Sequence, residues 1–224
     1  MKDKPLQMHS VNIDFRDGVS TDGFPPLPEG ERFDLIVADP PWKYISYSAK
    51  GYDRAPEKHY KTQPLDWICN LPIKDLAAKN THLMLWINGP SLVAGYHIPV
   101  MRAWGFKPSS MAFVWLKPKK GASNPRMFAP AVTDLDFIMG LGKTTRQNAE
   151  YVLLGRRGSP RRHSKAIHQL IIEPRREHSR KPEEFYRRAA EYAGDGARKL
   201  ELFTRTPRVG WTVWGDEAHK YSPA

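Results

Sequence analysis

The residues Asp-Pro-Pro-Trp at positions 39–42 directly follow an apolar run and limit what this chain can fold into. The run at 35–37 is continuously apolar, as in a strand buried on both faces of a parallel sheet. Neither proline has an N–H to donate, so the strand cannot continue past Asp39. We therefore predict that Asp39 lies at the carboxyl end of a buried strand, the edge at which open α/β sheets bind ligands.

The same turn carries groups that suit chemistry on an exocyclic amine of a planar base. Such an amine is conjugated with its ring, and acceptors that bond its hydrogens make the nitrogen more nucleophilic. Asp39 and the carbonyl of Pro40, which has no role in the sheet, are the candidate acceptors. Pro41 stiffens the turn, and the indole of Trp42 offers a face on which a base could stack. The alternative is a strand-ending turn in which Asp39 caps the next element and Trp42 belongs to the core.

The composition indicates a globular protein with an anionic partner. Of the 224 residues, 40% are hydrophobic and 26% are charged, and the net charge is +11. A strongly basic chain suits a polyanion such as nucleic acid. The single cysteine, Cys69, excludes an internal disulfide framework and a cysteine-based zinc cluster. No apolar run approaches the ~20 residues of a spanning helix and no signal peptide is evident, so we expect a cytoplasmic protein without membrane contact.

Apolar runs alternate with helical patterns after residue 33, which predicts an α/β fold with a mostly parallel, doubly wound sheet. Further strands are predicted at 83–87, 111–116, 151–154, 170–172 and 200–203. Helical segments are predicted at 66–79, broken by Pro72, at 91–104, interrupted by Pro99, and at 181–193. We expect residues 33–224 to form a single domain, with residues 1–32 as an irregular lead-in on or near its core.

The helix over 181–193 has the clearest boundaries. Ser179 is its predicted cap, Pro182 falls in its first turn, and Gly194 ends it. By contrast, the polar segment 43–63 has no periodicity. A structureless stretch of this length is typical of a functional loop, so we interpret it as a lid or a nucleic-acid contact, with a disordered surface insertion as the alternative.

Nine motifs along the chain occur in the order of one known family. They lie at 33–42, 59–62, 85–87, 103–106, 114–117, 145–150, 176–182, 200–203 and 210–215. With these motifs, the chain resembles the MT-A family of adenine-N6 methyltransferases, which includes the eukaryotic mRNA adenosine methyltransferases and phage and bacterial members. The resemblance implies a Rossmann-like methyltransferase fold in permuted order, in which the catalytic turn comes first and the strand at the donor's ribose comes late.

The resemblance also implies S-adenosylmethionine as the methyl donor and assigns roles to particular residues. Asp39, Pro40, Pro41 and Trp42 form the catalytic turn, where Asp39 and the Pro40 carbonyl hold the target amine. Asp39 also lies beside the methionine end of the donor. Lys181 meets the donor's carboxylate at the start of a helix, a place that attracts an anion in its own right. The alternative for Lys181 is an ordinary solvated lysine.

Glu201 stands in the middle of an apolar strand, where a carboxylate is costly unless it is paired or liganded. Its candidate partners are the ribose hydroxyls of the donor and Arg205, and the alternative is a structural Glu201–Arg205 pair without a ligand. The other donor-site candidates are Phe203, Arg205, Asp216 and Glu217. Relatives commonly carry an amide near the last two positions, which leaves the contact of Asp216 open.

The substrate-side candidates are less specific. Tyr60 and Glu150 match family positions near the target base, with loop packing and an element terminus as their alternatives. The basic segments 155–165 and 117–126 contain no acidic residue and could flank the mouth of the active site, where they would contact phosphates. Their alternative is a solvated surface. The arginines proposed as phosphate contacts are Arg156, Arg157, Arg161 and Arg162.

Some questions stay open at the level of sequence. Gly140 to Thr145 looks like a P-loop but has Phe137 where the first glycine is required, which argues against an ATPase. We favour DNA over RNA as the substrate because the length suits a phage or bacterial enzyme, and a base in duplex DNA must leave the stack to be methylated. A catalytically inactive nucleic-acid-binding relative is the different-class alternative. The motifs imply no metal, and the chain is a monomer or a homodimer.

Overall fold

A computed structural model describes residues 30–43, 62–119, 136–140, 145–177, 180–215 and 218. Its centre is a seven-stranded sheet with the order β5-β3-β4-β2-β1-β6-β7. The strands are β1 (Phe33–Ala38), β2 (Ala77–Ile87), β3 (Lys107–Leu116), β4 (Ala149–Arg157), β5 (Leu170–Ile172), β6 (Lys199–Leu202) and β7 (Thr212–Trp214). The sheet confirms the expected α/β, Rossmann-like fold, and β7 is a strand that the apolar runs did not predict.

The sheet is mostly parallel, with one reversed strand. The pairs β1–β2, β1–β6, β6–β7 and β3–β5 are parallel, whereas β4 is antiparallel to both β2 and β3. β6 occurs late in the chain but pairs with the first strand, as the permuted order requires. Because β4 is reversed, its first residues lie at the carboxyl edge of β1 and β2, and its last residues lie at their amino edge.

The helices are short, except for the one that covers the catalytic face. They are α1 (Leu65–Asn70), α2 (Gly89–Val93), α3 (His97–Ala103) and α4 (Glu183–Ala193). One face of the sheet packs against α1 and α3, with Ile68, Val100 and Met101 in its core. The other face packs against α4 through Phe185, Ala189 and Ala193. None of the helices in the described ranges is both long and apolar enough to cross a membrane.

Two predicted helical segments are shorter in the structure, although the first does break at Pro72 as predicted. The helix predicted at 66–79 ends at Asn70, because Leu71 adopts an extended conformation before Pro72, and Ala77 already begins β2. The helix predicted at 91–104 is divided at Gly95, which has φ +74°, and not at Pro99. Pro99 lies in the first turn of α3, where a missing N–H breaks no helical hydrogen bond.

The helix predicted at 181–193 is confirmed, but its cap comes from elsewhere in the chain. α4 begins at Glu183 after Pro182, and the carboxylate of Glu173 accepts hydrogen bonds from the N–H groups of Glu183 and Glu184, each at 3.2 Å. The predicted cap, Ser179, lies outside the described residues, as do most of segment 43–63 and of the lead-in. The start of α4 is therefore filled by an anion of the protein itself.

Candidate active site

The carboxyl ends of β1 and β6 lie side by side, and the predicted catalytic turn stands at this edge. The Asp39 N–H lies 3.4 Å from the Leu202 carbonyl, so the strands stay paired until both end. The chain continues from β1 to β2 on one side, while β6 lies on the other, which makes this a topological switch point where α/β sheets bind ligands. Phe203, directly after β6, has φ 64°. That conformation costs about 1–3 kcal/mol and is frequent at functional sites.

Four charged side chains form an alternating row at this edge. Lys181 Nζ lies 2.8 Å from Asp39 Oδ2 and 2.8 Å from Glu150 Oε2, and Lys117 pairs with the other oxygen of Glu150. The Lys181 ammonium also lies 4.8 Å from the centre of the Trp86 ring. Its side chain is only 9% exposed, so Lys181 is not a solvated surface lysine. The structure thus joins three predicted residues, Asp39, Glu150 and Lys181, in one cluster.

Burial and the neighbouring charges in the row shift the pKa values of Glu150, Lys181 and Asp39. Burial disfavours the charged form of Glu150, but Lys181 and Lys117 outweigh it and lower the pKa of Glu150 to about 2. Burial also opposes the charge of Lys181, yet Asp39 and Glu150 raise its pKa above the usual value. Burial raises the pKa of Asp39, and the negative charge of Glu150 raises it further. The attraction of Lys181 lowers it but is the smaller effect, so the pKa of Asp39 is raised overall. Of the two carboxylates in the row, Asp39 is therefore the one that takes up a proton more readily.

The turn itself differs in part from the expectation. The Pro40 carbonyl accepts a hydrogen bond from the Trp42 N–H at 2.7 Å, although a carbonyl oxygen has a second lone pair for another donor. The Pro41 carbonyl accepts from the N–H of Gln63 at 2.9 Å. Trp42 is 5% exposed, and its indole N–H donates to the Trp86 carbonyl at 2.9 Å. The interpretation of Trp42 as a stacking platform is therefore wrong, because the core takes its ring and its N–H anchors the turn to β2.

Glu201 is a buried carboxylate with one unused oxygen. Its side chain is 5% exposed, Oε1 accepts a 2.5 Å hydrogen bond from the Tyr186 hydroxyl, and Oε2 has no hydrogen-bond partner among the described residues. The Thr204 hydroxyl donates to the Thr206 carbonyl at 3.1 Å, and it also favours the ionised form of Glu201, which lowers the pKa of that carboxyl. Burial raises the pKa of Glu201 to about 7, against the opposing effect of the Tyr186 hydroxyl. A buried acceptor at this edge fits a ligand hydroxyl group.

The charge nearest to Glu201 was not predicted from the sequence. The Arg208 guanidinium stacks 3.4 Å from the centre of the Tyr186 ring, pairs with Glu183 and favours the ionised form of Glu201. Arg205 instead acts on Asp39, whose charged form it favours. Arg208 and Tyr186 lie outside the nine motifs and are 22 residues apart in the chain, so no local pattern identifies their contact.

The basic segment 155–165 does not flank the active site. Arg156 and Arg157 belong to β4, and Arg156 is level with His82 and Leu35 at the amino edge of the sheet, away from Asp39. The expectation of a loop at the active-site mouth is wrong because β4 is reversed. Arg157 donates to the Lys74 carbonyl on the α1 face, whereas Arg161 and Arg162 are exposed in the segment that follows β4.

Several candidates lie outside the described residues. These are Tyr60, Asp216 and Glu217, and also residues 120–126 of the second basic segment. Lys117, the first residue of that segment, belongs to the charged row. In the part of the chain that the structure covers, no group of three His, Cys, Asp or Glu side chains is placed to hold a metal ion.

The MT-A70 family model matches residues 33–217, most of the chain. The chain belongs to the MT-A70 methyltransferase family. This confirms the resemblance that the ordered motifs indicated, and the matched range covers the whole charged row and Glu201.

Three relatives illustrate the range of the MT-A70 family. The chain is 29% identical to the Type II methyltransferase M.MunI of Mycoplasma sp, over 87% of this chain and 81% of that protein. It is 28% identical to a putative N(6)-adenosine-methyltransferase MT-A70-like protein of Medicago truncatula, over 83% and 26% of the two chains. It is 27% identical to the human N(6)-adenine-specific methyltransferase METTL4, over 88% and 40%. The chain thus spans less than half of the plant and human relatives.

Proposed function

We propose that this protein transfers a methyl group from S-adenosylmethionine to the N6 amine of adenine in nucleic acid. The proposal rests above all on one observation: the carboxylate of Asp39 follows a central strand and is paired with Lys181, whose side chain is only 9% exposed. Membership of the MT-A70 methyltransferase family and the adenine-directed names of relatives support the same reaction.

The donor is proposed to occupy the switch point between β1 and β6. The free Oε2 atom of Glu201 fits a ribose hydroxyl, and Phe203 and Arg205 follow on the same edge. Lys181 is proposed to meet the donor's carboxylate, and Asp216 and Glu217 remain proposed contacts of its nucleoside. When bound, S-adenosylmethionine would supply the methyl group of its sulfonium: the amine nitrogen would bond to the methyl carbon as the C–S bond breaks and the neutral thioether leaves.

The target amine is proposed to lie between Asp39 and the Pro40 carbonyl. Asp39, held in place by Lys181, accepts one amine hydrogen, and the second lone pair of the Pro40 carbonyl accepts the other. This pulls the nitrogen away from conjugation with the ring and orients it for attack. As the nitrogen gains the methyl group it gives up one proton, for which Asp39 is the proposed acceptor. Glu150 and Tyr60 are proposed to border the base.

DNA is the favoured substrate, because the chain spans 81% of a bacterial type II methyltransferase but only 26% and 40% of the plant and human relatives. The test is incubation of the purified protein with methyl-labelled S-adenosylmethionine and single-stranded DNA, duplex DNA or RNA, followed by mass spectrometry of the nucleosides. We expect labelled N6-methyladenine from DNA. Label in RNA alone would reverse the substrate choice, and no label in any nucleoside would overturn the proposed activity.

A further inference from the structure

A polar cavity lies at the amino edge of the sheet, at the end of α4 away from Asp39. Its volume is about 330 Å³. Its walls come from β2, the segment after β4, and the chain that follows α4. The residues that matter here are His82, Arg161, His163, Gly196 and Asp34.

The cavity lies on the same face of the sheet as the active site. His82 and Trp86 share the α4 face of β2, as Arg156 and Glu150 share that of β4, because side chains alternate along a strand. Asp34 and Asp39, at the two ends of β1, are five residues apart, about 16 Å at 3.3 Å per residue. The cavity and the catalytic carboxylate therefore lie at opposite ends of one face.

One arginine, Arg161, lines the cavity, and two more, Arg156 and Arg162, lie near it. Arg156, Arg161 and Arg162 form no ion pair with a carboxylate of the described residues. Arg156 lowers the pKa of His82, after the larger effect of burial, and Arg156 and Arg162 both act on the Tyr192 hydroxyl, so these groups lie close together. The one carboxylate among the lining residues, Asp34, is neutralised by Arg198, whose Nε lies 3.5 Å away.

The walls are held firmly before any ligand binds. The Ser159 N–H donates to Asn80 Oδ1 at 2.9 Å, and the His163 N–H donates to the Tyr192 carbonyl at 2.9 Å. His82 is 3% exposed, and its Nε2 lies 3.3 Å from the Tyr192 hydroxyl. Guanidinium groups left without carboxylates around a shaped polar cavity are suited to bidentate binding of a phosphate.

We propose that this cavity binds a backbone phosphate of the nucleic-acid substrate, several nucleotides away from the adenine in the active site. The proposal rests on the proposed function, because the occupant is the same polymer that carries the target base. A duplex rises about 3.4 Å per base pair, so a separation of about 16 Å corresponds to at least about five base pairs. The substrate would then be held at two points on the α4 face.

The test compares two double variants by the salt dependence of DNA binding, measured by fluorescence anisotropy. R161Q/R162Q removes two cations from the cavity side. K74Q/R102Q, the matched control, removes two exposed cations from the opposite face of the sheet. Each lost phosphate contact lowers the slope of log K against log salt by about 0.9 for duplex DNA, which is about threefold in affinity between 50 and 200 mM salt. We expect this loss for R161Q/R162Q only, and only with duplexes that extend at least about five base pairs from the adenine.

A second variant tests the cavity itself. A Cβ at Gly196 meets no atom within 4 Å, so Gly196→Glu adds a carboxylate at the cavity wall without a clash, and Gly196→Gln is its neutral control. We expect Gly196→Glu, but not Gly196→Gln, to weaken the binding of long duplexes. Inorganic phosphate should compete with duplex DNA for the wild type more than for R161Q/R162Q.

The outcomes separate this proposal from the proposed function. An unchanged salt slope in R161Q/R162Q and in Gly196→Glu would overturn the cavity as a DNA contact, whether or not the wild type methylates adenine. If inorganic phosphate binds in the cavity while the DNA slope is unchanged, the site takes small anions and the proposal is wrong. If the wild type never methylates adenine while R161Q/R162Q shows the expected loss of slope, the proposed function is overturned and the cavity remains a DNA contact.

Discussion

At the scale of single residues, the proposed active site contains a row of alternating charges that begins with Lys117. Lys117 pairs with Glu150, Glu150 with Lys181, and Lys181 with Asp39. Lys117 holds Glu150, which in turn helps to hold the lysine that pairs with Asp39. The position of Asp39 therefore depends on Lys117, although the two side chains form no ion pair with each other. Glu201 stands apart from this row and titrates near neutrality, with a pKa of about 7.

Lys117→Gln should lower the turnover number at least about tenfold, since hydrogen bonds to charged groups contribute about 1.5–3 kcal/mol. Without Lys117, the pKa of Glu150 rises from about 2, so Glu150 takes up a proton at higher pH and the acid limb of the rate profile moves upward. A pH–rate profile measures both effects. Lys74→Gln, which removes an exposed ammonium from the opposite face of the sheet, is the control. A profile for Lys117→Gln that matches the control would refute this role.

Donor affinity should fall as the pH drops through about 7. Glu201 accepts hydrogen bonds best as a carboxylate, and below its pKa it becomes protonated, so donor binding is stronger above this pH than below it. Calorimetry of S-adenosylmethionine binding from pH 5 to 9, a range about two units to either side of that pKa, checks this. In Glu201→Gln, the fall in donor affinity near pH 7 should disappear. Any change in affinity that comes from ionisation of the donor itself should be the same in both proteins. An identical pH dependence in both would exclude Glu201 as the group responsible.

At the scale of elements, α4 connects the two ends of its face of the sheet. Its first turn begins at Glu183, two residues after Lys181, and its last residues, Tyr192 and Ala193, line or border the amino-edge cavity. The Glu173 carboxylate, which follows β5, caps its first two N–H groups. The position of the helix therefore depends on a residue that is remote from it in sequence.

Glu173→Ala should destabilise the protein by about 1 kcal/mol, the usual effect of losing a helix cap. For a chain of this size that corresponds to a fall in melting temperature of about 2–4 °C. Thermal unfolding followed by circular dichroism measures the fall. Glu31→Ala removes an exposed carboxylate outside the helices and should leave the melting temperature unchanged. Equal melting temperatures for the two variants would show that Glu173 does not stabilise α4.

At the scale of the whole molecule, charge is divided between two edges of one sheet. The carboxyl edge holds Asp39 and Glu150 with their lysines, and the amino edge holds Arg156, Arg161 and Arg162 without carboxylate partners among the described residues. The reversed strand β4 produces this division, because it carries Glu150 at its start and Arg156 near its end. Part of the net charge of +11 is therefore concentrated at the amino edge of the sheet, so the charge does more than keep the protein in solution.

Local patterns in the sequence predicted the parts of this arrangement that depend on neighbouring residues. The buried strand ending at Asp39 and the helix ending at Gly194 have their signals within a few residues, and both are confirmed. The burial of Trp42, the cap from Glu173 and the stacking of Arg208 on Tyr186 depend on contacts between distant segments, so no local pattern carries them. The direction of β4 is of the same kind, and it moved the basic segment from one edge of the sheet to the other.

The most direct measurement of the central claim is the single-turnover rate of adenine methylation by Asp39→Ala. The account predicts a fall of at least about 100-fold, because the positioned acceptor of the amine hydrogen is lost. Duplex DNA binding and the melting temperature should stay close to those of Asp75→Ala, a control that removes an exposed carboxylate from the other face of the sheet. A folded Asp39→Ala protein that methylates adenine at nearly the wild-type rate would contradict the account.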